Sequence, residues 1–239
     1  IALIRHTPKS INERYQMIKK LIGRNAGKSM IFVPTLKVGK EVQQGLVEMG
    51  ITIPFYHSRL NAVDRDFLMG QFTGRIKPEA DNIICTNAFG MGIDIPNVHL
   101  VIHWTQPESV EDYLQEFGRA GRDGKPSIAL IFKSSKDTDL RFFMAKMTAQ
   151  EAAKKGLDVQ EHLKTKIERI QELDRMVRNK RRCFRNQITD YFNDDKNGKR
   201  KSIAMRIIEW FLCTKNKTAR STICCDACNS REVKRLLGN

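Results

Sequence analysis

The sequence predicts an α/β protein: a parallel sheet covered by helices on both faces, followed by a smaller helical region rich in cysteine. Three observations predict it. Up to about Ser135, short apolar runs alternate with amphipathic stretches of helical period. From Lys136 onward the apolar runs give way to helical spacing alone. Five of the six cysteines (Cys183, Cys213, Cys224, Cys225 and Cys228, but not Cys85) crowd into the last quarter of the 239 residues. The predicted division is therefore residues 1–135 and residues 136–239.

In the first region Ser29–Val33, Ile53–Tyr56, Asn82–Cys85, Leu100–Trp104 and Ile128–Phe132 read as buried strands. Ser10–Ile22, Val38–Met49, Val63–Phe72 and Ser109–Phe117 carry helical patterns between them. Strand followed by helix, repeated, implies right-handed crossovers and a ligand-binding edge at the carboxyl ends of the strands. In the second region Leu163, Ile167, Ile170, Leu173 and Val177 form one helical stripe. Cys183–Phe192 and Ser202–Leu212 predict two further helices, with Asp194–Lys201 as a basic loop between them.

The composition is 41% hydrophobic, enough for a real core, and the formal net charge is +15. Such a balance points to a polyanionic partner, nucleic acid before membrane. No apolar run approaches the ~18 residues that a membrane span needs, and no signal peptide is visible. In an intracellular basic protein such a cluster reads as a metal site before it reads as disulfides, and an intracellular location is expected. Cys225-Asp226-Ala227-Cys228 is a C-x-x-C pair, suited to two corners of a zinc tetrahedron. Cys85 lies inside an apolar strand and reads as packing.

Gly23–Ser29 (GRNAGKS) imitates a phosphate-binding P-loop without being one. Its glycines are one residue too close, and it runs from helix to strand instead of strand to helix. No DEAH-type acidic box is present either. The opposite holds for Gln115–Gly124 (QEFGRAGRDG), where Arg119 and Arg122 stand three apart among three glycines at the end of a predicted helix. A planar, permanently charged guanidinium on a loop that allows close approach suits a phosphoryl group on which charge is building.

This string resembles motif VI of superfamily 2 helicases, and within them the RecQ family. Lys28–Leu46 resembles motif IV, and His57-Ser58-Arg59-Leu60 the family's element after the next strand. Ile83–Val98 (IICTNAFGMGIDIPNV) resembles motif V. The resemblance covers nearly the whole chain. It implies a RecA-like second motor lobe over residues 1–135 and a RecQ-type zinc-binding domain over 136–239.

By that resemblance Arg122 is the arginine finger and Arg119 its assistant. Asp94, Gly92 and Gln115 serve the nucleotide side, with Glu116 also a candidate for hydrogen bonds between motifs. Thr35, Lys37, His57, Arg59 and Thr86 face nucleic acid. Cys183, Cys225 and Cys228 hold Zn2+, with Cys224 favoured over Cys213 as the fourth ligand. The implied activity is ATP-driven, 3′-to-5′ unwinding of DNA in recombination and repair, acting on single strands and duplex junctions. Localisation would be nuclear in a eukaryote and cytoplasmic in a bacterium. ATP and Mg2+ would be bound by an N-terminal RecA-like lobe outside this sequence, so the chain alone is expected to be inactive. The alternatives are a superfamily 2 motor acting on RNA and a DNA-binding module without ATPase activity.

Overall fold

The computed structural model describes residues 1–87, 89, 95, 97–154, 159–193 and 224–237. Six strands form one sheet: β1 (Ala2–His6), β2 (Lys28–Phe32), β3 (Phe55–Tyr56), β4 (Asn82–Cys85), β5 (Val98–His103) and β6 (Ile128–Phe132). All pairings are parallel, in the order β1-β6-β5-β2-β4-β3. The α/β class and the parallel sheet are as the sequence predicts. β1 was not among the expected strands, because its apolar run is only four residues long and ends in Arg5 and His6.

The helices of the first region are α1 (Ile11–Arg24), α2 (Leu36–Glu48), α3 (Ala62–Thr73) and α4 (Val110–Phe117). Each begins at a side-chain cap. Ser10, Thr35, Asn61 and Ser109 accept from the amides of Glu13, Val38, Asp64 and Asp112, satisfying donors that the helix cannot. α5 (Ser135–Lys154), α6 (Gln160–Arg178), α7 (Phe184–Asn193) and α8 (Ser230–Leu237) follow. The predicted helix 202–212, the loop 194–201 with its Lys199–Lys201 run, and Cys213 lie outside the described residues, as do Gly90, Gly92 and Asp94. Among the described residues no helix is long and apolar enough to cross a membrane.

Alternate residues of each strand enter two cores, as the pleat requires. On one face Ile4, Ile31, Ile84, Ile102 and Leu130 pack under α1, α2 and α8. On the other, Leu3, Met30, Ile83, Val101 and Ile131 pack under α3, α4, α6 and α7. That second core is continuous across residue 135: Tyr113 of α4 stacks on Phe184 of α7 at 5.5 Å, and Tyr191 donates to Glu111 at 2.9 Å. α2 approaches β3 so closely that a Cβ on Gly39 would lie 2.1 Å from the Phe55 ring.

α5 carries no apolar stripe facing inward, so its periodicity hid it. Its buried positions include Asp137, Arg141, Ala145 and Ala149, spaced by four, while Phe143 is 61% and Met147 42% exposed. The inward face is ionic because it closes the carboxyl ends of three strands. Arg14 donates to the Trp104 carbonyl (2.6 Å) and to Asp137 (3.0 Å). Arg141 donates to the Gln106 carbonyl (2.7 Å). Lys133, just past β6, meets Asp174 of α6, Thr138 and Gln106. His6, the last residue of β1, is held by Glu13 (2.9 Å). The carboxyl ends of β1, β6 and β5 are thereby covered.

Burial raises the Asp174 pKa, but hydrogen bonds from Lys133, Thr138 and Arg178 outweigh it and hold the carboxyl below its ordinary value. A depressed carboxyl stabilises the fold above the unfolded-state pKa, and that contribution is lost as pH falls through the folded-state value. Removing one partner of a buried ion pair costs roughly 3–5 kcal/mol, because the other charge is left uncompensated. In urea denaturation Asp174→Ala is expected to destabilise by that amount. The double variant Lys133→Met/Asp174→Ala should recover most of the loss. An Asp174→Ala chain as stable as the parent would show that the network does not hold α5 and α6 in place.

Candidate functional site

The arginine loop follows α4. Gly121 (φ +66°) and Gly124 (φ +76°) take left-handed conformations that other residues avoid, and they turn the chain twice within four residues. Two contacts tie the loop to the first two residues of β5. The Gly121 amide donates to the Val98 carbonyl (2.8 Å), and Asp123 pairs with His99 Nε2 (2.8 Å). The two arginines occupy different environments. Arg119 is buried at 6% exposure, whereas Arg122 is exposed, with its Nε donating to the Gly118 carbonyl. Burial is the main force lowering the Arg119 pKa, and Arg122 lies close enough to add to it. Gln115 is exposed. Glu116 is buried and holds His103 Nε2 at 2.8 Å, with the His103 ring stacked on Phe32. His103 is thus a core residue, as its strand position implied.

Among the described residues, the ionic network around α5 reaches the ends of β1, β6 and β5 and not those of β2, β4 and β3. Extending the β2–β4 and β4–β3 registers by one residue aligns Thr86 with Val33 on one side and His57 on the other, about 4.8 Å apart per strand. Thr35 caps α2 by accepting from Val38 (3.2 Å), and its hydroxyl keeps a proton to donate. Lys37 is exposed in the first turn of the same helix, whose amino end favours an anion. Arg59 is exposed, and the His57 ring sits edge-on to Phe55 at 4.8 Å. These five residues from three adjacent strand ends therefore share one edge. Asp94 and Gly92 lie outside the described residues.

Lys28 shows why the false P-loop cannot act as one. Its ammonium is buried between Glu79 (3.6 Å) and Asp81 (3.7 Å), over the Phe72 ring. The basic run 178–182 is likewise partly engaged: Arg178 pairs with Asp174 (2.6 Å) and Arg182 with Asp190 (2.8 Å).

Cys183, Cys224, Cys225 and Cys228 each offer a sulfur, and these atoms lie within 4.8 Å of one another. Cys183 is 3.8 Å from both Cys224 and Cys225. A tetrahedron of thiolates at about 2.3 Å from zinc has edges near 3.8 Å, whereas a disulfide requires about 2.05 Å. The donor set and its spacing fit zinc. The Cys225 thiol is held well below its ordinary value by its hydrogen bond with Cys224, and the amides of Phe184 and Cys228 also bond to it. Ligation uses that thiolate form. Cys85 is fully buried, and burial pushes its thiol well up, away from reactivity.

Arg5 and Asp226 were not singled out from the sequence. The turn carrying Cys225 forms a single parallel bridge to Leu3 of β1, with the Leu3 amide on the Cys224 carbonyl (3.1 Å) and the Asp226 amide on the Leu3 carbonyl (3.2 Å). A carboxylate between two thiol ligands was the one signal available; nothing in a short apolar run marked Arg5 as its partner.

Residues 13–124 match the family described as helicase conserved C-terminal domain. "Probable ATP-dependent DNA helicase RecS" of Bacillus subtilis is 37% identical over 59% of this chain and 29% of its own length. "RecQ-like DNA helicase blm-1" of Caenorhabditis elegans is 37% identical over 55% of this chain and 13% of its own. The chain thus spans less than a third of either relative. The DEAD-box protein SrmB of E. coli shares the fold, with a TM-score of 0.51 at 23% identity over 59% of this chain and 82% of that structure. The family match and these relatives support a C-terminal lobe of the RecQ-type superfamily 2 helicases.

Burial first, then the charges of Lys40 and Arg59, lowers the His57 pKa. The ring should therefore be neutral at pH 7. An NMR titration is expected to place its midpoint below the ordinary histidine value, and Lys40→Ala should relieve only part of the shift, since burial dominates. A midpoint at or above the ordinary value would mean that the ring meets an anion instead.

Proposed function

We propose that this chain is the closing half of an ATP-dependent DNA helicase. In the intact protein a preceding lobe would hold ATP and Mg2+, and this lobe would bring Arg122 onto the transferring phosphoryl group. The observation that carries the reading is the exposed Arg122 above the buried Arg119, on a glycine-turned loop pinned to β5. A fixed loop costs little reorganisation when charge develops on the γ-phosphoryl oxygens. The finger would donate N–H groups to those oxygens as the bond to the leaving ADP breaks and water attacks. Arg119, buried beside it, adds positive potential and supports the loop.

The ends of β2, β4 and β3 would carry the sugar–phosphate backbone of a single strand or duplex junction. Thr35, Thr86 and His57 supply hydrogen bonds there, and Lys37 and Arg59 supply charge. The +15 net charge supports a polyanionic partner. Cys183, Cys224, Cys225 and Cys228 would hold Zn2+, which supplies a structural cross-link when bound. The 3′-to-5′ polarity, the role in recombination and repair, and a location in the nucleus or bacterial cytoplasm rest on resemblance to RecQ proteins.

The test is ATP turnover by the intact protein, with single-stranded DNA or RNA added. Arg122→Ala is expected to lower kcat by about 10³-fold or more, the range for loss of an arginine finger, with little change in ATP affinity. Stimulation by DNA and not RNA is expected. Unchanged turnover with both Arg119 and Arg122 made alanine would sink the reading, and stimulation by RNA alone would move the protein to the RNA motors.

A further inference from the structure

Arg5 stands on β1, yet its guanidinium contacts lie on the end of α6, on the residues flanking Cys183 and on the Cys225–Cys228 turn. Its side chain is fully buried, and Nε donates to both Asp226 oxygens, at 3.0 and 3.2 Å. Nη1 donates to the carbonyls of Met176 (2.9 Å) and Asn179 (2.7 Å), and Nη2 to that of Arg182 (3.4 Å). The plane lies 4.6 Å from the centre of the Phe184 ring. Arg182 and Phe184 are the neighbours of Cys183, and Asp226 stands between Cys225 and Cys228. One side chain therefore grips both halves of a site whose ligands are more than forty residues apart in sequence.

We infer that Arg5 is a positioning residue for metal binding: it fixes the distance between Cys183 and the Cys224–Cys228 turn, so that four sulfurs converge before an ion is bound. The inference rests on the zinc reading above. Arginine is needed because its five donors point outward from one rigid plane, and lysine offers a single point charge. Gln187 supports the same arrangement, donating to the Asn179 and Arg182 carbonyls at 3.1 Å each. The Asn229 side chain accepts from the Cys224 amide (2.8 Å), which secures the other half.

The test uses the purified chain, with zinc affinity read by competition against a chelator and site geometry read from the absorption bands of bound Co2+. Partners that orient metal ligands typically contribute roughly 10–100-fold in affinity. Arg5→Lys and Asp226→Asn are each expected to weaken zinc binding within that range and to alter the cobalt bands. The double variant should be no worse than the weaker single, because one contact is being removed. Arg14→Lys disturbs a buried arginine far from the cysteines; it should lower stability while leaving zinc affinity and the cobalt bands unchanged. Should Arg5→Lys fail to fold, Asp226→Asn decides. Affinities within about twofold of the parent in the folded variants would overturn the role, since they fall short of any oriented-ligand effect. A parent chain that takes up no zinc would overturn the cysteine reading itself, and with it this one.

Discussion

The contact between Arg5 and Asp226 is the constraint on which the second half of the chain depends. Taking a guanidinium and a carboxylate out of water costs several kcal/mol per ion, and only full pairing offsets that cost. Here every guanidinium nitrogen has an acceptor: a carboxylate and three carbonyls take four of the five N–H groups, and an aromatic face lies against the plane. The three carbonyls belong to the end of α6 and the turn into α7. β1 therefore does more than edge the sheet. It receives the cysteine turn as a one-residue extension, so the outermost strand has little free edge left to pair with another molecule.

A second constraint divides the carboxyl edge of the sheet. Parallel strands present all their carboxyl ends to one side, which makes that side a general ligand surface. In this molecule half of it is closed by ions: Arg14 with Asp137, Arg141 with the Gln106 carbonyl, and Lys133 with Asp174. The remaining half, after β2, β4 and β3, holds the residues proposed for nucleic acid. The arginine loop is anchored elsewhere, at the first residues of β5. The connection between Thr86 and Asn97 joins these two places in the chain.

Much of this was legible in the sequence, for identifiable reasons. Apolar runs of four to six residues separated by helical patterns specify a parallel sheet almost by themselves, and capping residues such as Ser10 and Ser109 mark helix starts within a residue. The arginine pair and the C-x-x-C pair stand out because their chemistry fixes their spacing. What stayed hidden has the opposite character. α5 buries aspartate, arginine and alanine while exposing Phe143 and Met147, so a search for an apolar face finds the wrong side. Arg5 gave no warning, because its partners lie 171 to 221 residues away along the chain.

The half-closed edge also sets where this scaffold can change. Loops after β1, β5 and β6 are bound into a charge network whose members tolerate loss poorly, so insertions there would carry a cost in stability. The described residues that follow β2 and β3 have no part in that network. Sequence change there would leave the frame that holds the rest undisturbed.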